Sequence, residues 1–274
     1  MGDSMRDLTT ARSLLFVPGT RPERFRKAAE AGADGIVLDL EDAVAPADKS
    51  EARSHVDGWL GDGNVGVVRV NARDTDWHAQ DLDMVRRHGC PVMIPKVESV
   101  TDVEVVWRHL RDDADLIPLI ESSAAVLAAR EICSGIGVTR VAFGSFDLGA
   151  EIGVAPERQE AFLFARSALV LACASAKIAP PLDGVTGDVS SPDALRADIE
   201  HASGLGFGGK LCIHPKQVAA VNAGFAPDES EVRWAYRILA EVNDQGVAVV
   251  DGKMIDAPVI ARARRILKTA GITV

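Results

Sequence analysis

Short apolar runs alternate along the chain with stretches whose apolar residues return every three or four positions. Runs closed by Gly, Pro or a charge predict buried parallel strands, and the amphipathic stretches predict helices that cover them. The first run, LLFV at 14–17, is closed by Pro18-Gly19; residues 21–33 follow with Phe25, Ala28 and Ala29 on one helical face. A second run at 36–40 ends in Glu41-Asp42, and Pro46 opens a helix that continues to Leu60. The third and fourth runs, 67–71 and 92–96, are separated by a polar helical stretch over 76–88, and another helix starts at Ser99. The fifth run, LIPLI at 116–120, leads into a helix over 122–133, and the sixth, VAF at 141–143, into a helix over 156–176. The seventh, at 178–182, contains Pro180-Pro181, which is poor strand chemistry unless the strand is distorted. The eighth, KLCI at 210–213, ends in His214-Pro215.

Eight such runs alternating with helices predict an α/β chain folded as a (β/α)8 TIM barrel. A doubly wound open sheet suits six or seven units better, and no GxGxxG follows the first run. The barrel is expected to occupy residues 1–227, leaving 228–274 as a C-terminal extension. That extension reads as a helix over 231–242, a hairpin over 247–255 turning at Asp251-Gly252, and an arginine-rich closing helix. Its first helix presents Val232, Tyr236, Leu239 and Val242, with Ala235 close by, as an apolar face that must be covered. No linker, repeat or low-complexity stretch divides the 274 residues.

Composition narrows the function classes. With 47% hydrophobic residues the chain has ample material for one large core. A formal net charge of −10 argues against nucleic acid or an acidic membrane as the main partner, though a small anionic ligand at a local basic mouth stays open. Cys90, Cys133, Cys173 and Cys212 are scattered, with no CxxC, and read as reduced small hydrophobes. The start MGDSMRDLTT has no signal-peptide core and no run reaches a membrane span, so a cytoplasmic protein is expected.

In such a barrel the residues at the C-terminal ends of the strands line the active site. Those ends read Val17 to Thr20, Glu41-Asp42, Arg69 with Asn71, Pro95-Lys96, Glu121, Asp147, Asp183 and His214. Taken singly, each is as well explained as a solvated loop start. Two resist that reading: Arg69 lies inside its apolar run, and Glu121 closes a run with no other polar residue. Asp147, in RVAFGSFDLG, follows the sixth run directly. If the fifth and sixth runs are neighbours, Glu121 and Asp147 converge. Two hard oxygen ligands with open positions suit Mg2+. A buried Arg69 nearby would neutralise them or grip a carboxylate with its planar fork.

The strings RSLLFVPGTRPERFRKA, GIVLDLEDAVAPADKSEAR, VVRVNA, PVMIPKVES, LIPLIES, FGSFDLGAEIG, GKLCIHP and GKMIDAPVI, in that order, resemble the citrate lyase β-subunit-like family. That family includes the malyl-CoA and citramalyl-CoA lyases of the HpcH/HpaI aldolase superfamily, and the likeness covers nearly the whole chain. It implies a (β/α)8 barrel and Mg2+-dependent cleavage or formation of a carbon–carbon bond beside a thioester. By resemblance, Glu121 and Asp147 hold the metal, and Glu121 and Arg69 contact the bound acid and acyl group. Phe16, Arg21 and Lys27 match coenzyme A contacts, Ile213 and His214 a substrate contact. Asp256 matches a catalytic aspartate on a C-terminal segment that reaches a neighbouring subunit. A homo-oligomer, most simply a trimer, with an acyl-CoA thioester or α-keto acid as its ligand, is therefore expected.

The residue types suit retro-Claisen chemistry. Arg69 would stabilise charge at the thioester oxygen and Asp256 would move the proton at the acyl carbon. Arg21 and Lys27 would meet coenzyme A phosphates from successive turns of one helix face. Each has a plainer reading. Arg21 and Lys27 suit solvated helix charges, His214 before Pro215 a helix start, and Asp256 before Ala-Pro a helix N-cap. Glu41 and Asp42 suit ordering of water around a metal, or pairing with Lys96. Three other functions stay open: a citrate lyase β-subunit acting on an acyl carrier protein thioester, an aldolase using free pyruvate or oxaloacetate, and a non-catalytic binding barrel.

Overall fold

The computed structural model describes residues 7–110, 114–241, 248–250 and 253–272. Eight parallel strands close into a barrel in sequence order: β1 (Ser13–Pro18), β2 (Gly35–Asp39), β3 (Val67–Arg69), β4 (Val92–Ile94), β5 (Leu116–Ile120), β6 (Ala142–Phe143), β7 (Leu182–Asp183) and β8 (Gly209–Cys212). β8 returns to β1 through the register Ser13↔Lys210 and Leu14↔Leu211. The strands are largely apolar because helices cover their outer faces and the barrel interior fills their inner ones. Leu14, Val37, Val67, Met93, Ile117, Ala142, Leu182 and Leu211, one from each strand, are buried in a common core cluster.

The covering helices are α1 (Phe25–Ala29), α2 (Lys49–Gly61), α3 (His78–His88), α4 (Val100–His109), α5 (Ser123–Leu127), α6 (Ala129–Cys133), α7 (Ser145–Ile152), α8 (Leu163–Ala176), α9 (Pro192–Leu205) and α10 (Pro215–Gly224). Several differ from the sequence reading. The stretch 21–33 is a 3-10 turn, Pro22–Arg24, followed by the short α1, and the chain then turns back at Gly32 with φ 80°. The helix expected over 122–133 breaks at Ala128 into α5 and α6. Two helices are additional: α7, which carries Asp147, and α9. The second has ordinary signals, Ser191 capping Ala194 N–H at 3.2 Å, Pro192 in the first turn and Gly206 at φ 103° after the end. The seventh strand starts beyond Pro180-Pro181, which cannot donate to a ladder, and is only Leu182–Asp183.

Polar residues seal the barrel at two places. Arg140, fully buried just before β6, donates to the carbonyls of Leu8, Ala11 and Pro180, so the segment ahead of β1 is tied across the N-terminal end. Asp183, read from sequence as strand-end chemistry, is instead a buried structural anion. Arg166 Nε donates to its Oδ1 at 2.9 Å and Lys210 Nζ to its Oδ2 at 2.8 Å. Burial opposes the Asp183 charge, but Lys210 and Arg166 outweigh it and hold the carboxyl below its usual range. Of the four free cysteines, Cys133, Cys173 and Cys212 are buried, as small hydrophobes are. No helix among the described residues is long and apolar enough to cross a membrane.

The chain divides into two compact units, Met1–Asn222 and Ala223–Val274. In the second, α11 (Glu229–Glu241) precedes an antiparallel pair, β9 (Ala248–Val250) and β10 (Lys253–Ile255), and α12 (Ala257–Thr269) closes it. The hairpin turn read at Asp251-Gly252 lies outside the described residues. The apolar face of α11 is centred on Ala235 and Ile238, with Val232 and Leu239 partly buried beside them. Tyr236 is exposed, so it does not belong to that face, and Val242 is not among the described residues. Ile260, Ala263, Ile266 and Leu267 of α12 cover the face, so the tail supplies its own core.

Candidate active site

At the C-terminal ends of the strands a cavity of about 440 Å3 opens, and Phe16, Arg69, Glu121, Asp147 and Ile213 all line it. Leu119, Phe143, Phe146, Val185 and Leu211 give it an apolar wall.

One side is organised by Arg69. It ends β3 directly beside Asp39 at the end of β2, in the register Asp39↔Arg69. The guanidinium grips Asp39 with both prongs, Nε to Oδ1 at 2.7 Å and Nη2 to Oδ2 at 2.6 Å, and sits over the Phe16 ring at 4.8 Å. The remaining Nη1 lies 2.9 Å from Glu41 Oε2, an ion contact without an aligned hydrogen bond, and 3.8 Å from Asp42. Asp39 also accepts the Glu41 and Ala43 N–H groups, and Lys49 Nζ donates to the carbonyls of Leu40 and Glu41, which fixes the loop after β2. Burial works against the Arg69 charge, but Asp39 and Glu41 outweigh it and keep the guanidinium above its usual range. Burial pushes the Glu41 carboxyl up to about 7, against the pull of Arg69.

The other side joins β4, β5 and β6. Glu121 follows β5 and is buried, and the Lys96 N–H donates to its Oε1 at 2.8 Å. Lys96 reaches that position through a left-handed backbone, φ 53°, unusual for a residue with a side chain. Gly144 makes room behind the carboxylate: a Cβ there would overlap Glu121 Cβ and lie 2.9 Å from Oε2. Asp147 stands in the first turn of α7, not at the end of a strand, and is half-exposed. Lys96 Nζ bridges the two acids, 2.9 Å from Asp147 Oδ1 and 3.5 Å from Glu121 Oε1. Burial pushes the Glu121 carboxyl up to about 7, opposed first by the Lys96 N–H and then by its ammonium.

The residues fit a hard divalent cation. Glu121 and Asp147 offer oxygen donors around one point, and a positively charged group already stands between them. No cluster of three or more His, Cys, Asp or Glu with metal-holding geometry occurs among the described residues. An ion here would therefore take the balance of its ligands from water or substrate, as Mg2+ does readily.

The structure thus gathers Phe16, Pro18, Asp42, Arg69, Glu121, Asp147 and Ile213 in the cavity wall, and does not bring Arg21, Lys27, His214 or Asp256 into it. Arg21 and Lys27 are exposed, and they do not stand on successive turns of one helix. Arg21 precedes the 3-10 turn and lies 3.6 Å from Glu23, while Lys27 is within α1. His214 Nδ1 accepts the Lys216 N–H at 3.1 Å, and its own N–H donates to Gln217 Oε1, the pattern of a helix start. Asp256, in the second unit, caps α12 by accepting the Val259 N–H at 3.3 Å. Lys96 pairs with Asp147 and Glu121, not with Glu41 or Asp42. Asp39 is an organising residue that the strand-end reading passes over. Its signal was of the same kind as that of Arg69, one charge inside the apolar run IVLDL.

The protein-family model for HpcH/HpaI aldolase/citrate lyase matches residues 12–215. A (3S)-malyl-CoA thioesterase from Cereibacter sphaeroides is 36% identical over 269 residues, 94% of each chain. An L-malyl-CoA/beta-methylmalyl-CoA lyase from the same species is 33% identical, again over 94% of each chain. Among solved structures, the protein CitE from Mycobacterium tuberculosis in complex with magnesium, acetoacetate and coenzyme A superposes with a TM-score of 0.79 and 33% identity, covering 96% of this chain and 100% of that one.

Proposed function

The chain belongs to the HpcH/HpaI aldolase/citrate lyase family, and from that premise we propose that it is a Mg2+-dependent enzyme cleaving or forming a carbon–carbon bond in a β-hydroxyacyl thioester. The observation that carries the reading is the convergence of Glu121 and Asp147 on the Lys96 ammonium, in the same cavity as the buried Arg69. The CitE structure with magnesium, acetoacetate and coenzyme A supports the same class of ligands.

Glu121 and Asp147 would hold the metal. When bound, Mg2+ supplies Lewis-acid polarisation of the hydroxy or keto oxygen and orients the adjoining carboxylate. Arg69, immobilised by Asp39 and Phe16, presents a fixed positive charge that needs no reorganisation as negative charge grows on the thioester oxygen. With substrate in the cavity, the apolar wall around Phe143, Phe146, Val185 and Leu211 would exclude water and strengthen that interaction. In the cleavage direction the bond between the carbinol carbon and the α-carbon breaks. Its electron pair passes to the thioester as an enolate, the hydroxyl loses its proton, and the α-carbon later gains one. We assign the exposed Arg21 and Lys27 to the phosphates of coenzyme A, and Ile213 with His214 to the acyl group near the rim.

A second reading is hydrolysis of the thioester, favoured by the relative named (3S)-malyl-CoA thioesterase. One experiment separates the two. Malyl-, citramalyl- and citryl-CoA are incubated with the protein and Mg2+, with free thiol and α-keto acid or glyoxylate measured together. Lyase activity releases the keto compound and leaves the thioester intact; hydrolysis releases thiol alone. Acetyl- or propionyl-CoA with glyoxylate or pyruvate tests the reverse direction. Absence of any Mg2+-dependent product across the panel would sink the proposal. Turnover only with an acyl carrier protein thioester or a free keto acid would move it to those substrates.

We assign the proton at the acyl carbon to Asp256 of a neighbouring copy in a homo-oligomer, three copies being the family-based expectation. Its described cap bond engages Oδ1. Mixed Asp256→Ala and Asp147→Asn proteins, each inactive alone, should regain up to about a quarter of wild-type activity when subunits exchange. A mixture that stays inactive despite demonstrated exchange refutes the shared site.

A further inference from the structure

Lys96 has no part in the chemistry just described, yet its ammonium stands inside the site. Its Nζ lies 2.9 Å from Asp147 Oδ1 and 3.5 Å from Glu121 Oε1, between the two carboxylates assigned to the metal. Those carboxylates come from different segments, one after β5 and one in α7, and the ammonium joins them. A divalent ion bound to both oxygens and an ammonium at these distances would repel each other strongly, even with the screening expected near a protein surface.

The backbone of Lys96 is an independent observation. Its φ of 53° is a conformation that residues with side chains seldom adopt, and it aims the Lys96 N–H at Glu121 Oε1. The main chain therefore stays fastened to Glu121 whether or not the ammonium stays. The side chain is 39% exposed on a long flexible stem, so it has somewhere to go.

We propose that Lys96 is a built-in, displaceable counter-ion of the metal site. This rests on the assignment of the metal to Glu121 and Asp147. Its ammonium neutralises the pair in the metal-free protein and yields its place when a divalent cation binds, while its N–H holds Glu121 in position throughout. Lys96 is thus a positioning residue that sets metal affinity by competition. A merely structural ion pair would have the opposite effect on removal, because losing it would loosen the two ligands and weaken binding.

The test is direct Mn2+ binding to the substrate-free protein, followed by loss of the free-ion electron paramagnetic resonance signal. The proteins are wild type, Lys96→Met, Lys96→Gly and Asp147→Asn. Lys96→Gly accepts the left-handed backbone at no steric cost and keeps the N–H that bonds Glu121, should the methionine variant fold poorly. The expected result is at least fivefold tighter Mn2+ binding in the folded Lys96 variants and at least tenfold weaker binding in Asp147→Asn. Equal or weaker binding in the Lys96 variants, with Asp147→Asn still impaired, overturns the counter-ion role and leaves the metal assignment standing. Wild-type affinity in Asp147→Asn overturns the metal assignment and the inference with it.

Discussion

Asp147→Asn and Glu121→Gln each lower Mg2+-dependent kcat/KM by about a thousandfold or more, equivalent to roughly 4 kcal/mol of transition-state stabilisation. Both substitutions keep shape and remove one anionic oxygen donor, the property a hard divalent cation selects. Neither should unfold the protein. Asp147 is half-exposed in the first turn of α7, and its described partner is the partly exposed ammonium of Lys96. Glu121 is buried, and burial disfavours its ionised form, so a neutral amide whose Oε1 still accepts the Lys96 N–H costs the fold little. The check is steady-state kinetics across a Mg2+ titration beside thermal unfolding of the metal-free proteins. Activity near wild type at saturating Mg2+ in either variant would remove that residue from the metal site. A loss of activity that tracks a fall in melting temperature would show that folding, and not chemistry, had been disturbed.

The barrel was legible because its physics is repetitive. A parallel strand buried on both faces reads as a near-continuous apolar run, and the intervening helices must be amphipathic, so the period alternates along the chain. Pro180-Pro181 obscured the seventh strand because backbone donors, not side-chain hydropathy, decide where a ladder begins. α7 escaped notice because it spans only Ser145–Ile152 and carries an internal glycine, too short for a periodic signal. Its existence matters, since it moves Asp147 from a strand end into a helical first turn.

Within the site, legibility followed the contrast between a residue and its neighbours. Arg69 and Glu121 stood out as charges among apolar residues, and the cavity holds both. Arg21, Lys27, His214 and Asp256 had no such contrast, and the chain itself places them as exposed charges or helix caps. The bridging position of Lys96 was beyond reach of the sequence, because it depends on a backbone angle that no residue pattern announces.

Arg69 carries the second large effect. The sequence left two uses open for its fork, neutralising nearby acids or gripping a substrate carboxylate with both prongs. The geometry restricts the choice: Nε and Nη2 are both committed to Asp39 at 2.7 and 2.6 Å. What the cavity receives is a fixed positive charge backed by the Phe16 ring, with Glu41 at Nη1. Lysine can match the charge but not the fork. Arg69→Lys therefore leaves part of the buried Asp39–Glu41 pair without a donor and places the remaining charge on a flexible stem. It should lower kcat/KM by about a hundredfold or more, with a moderate fall in stability. Arg69→Met strands two buried carboxylates and should cost roughly 3–5 kcal/mol of stability as well. Adding Asp39→Asn to Arg69→Met should recover part of that stability and none of the activity, because it removes a stranded charge without restoring the one that faces the cavity. Kinetics and denaturant unfolding on the three proteins decide the matter. Wild-type turnover in Arg69→Lys would show that the planar fork serves only the pairing at the strand ends, and recovery of activity in the double variant would show that the charge on Arg69 is not needed for the reaction.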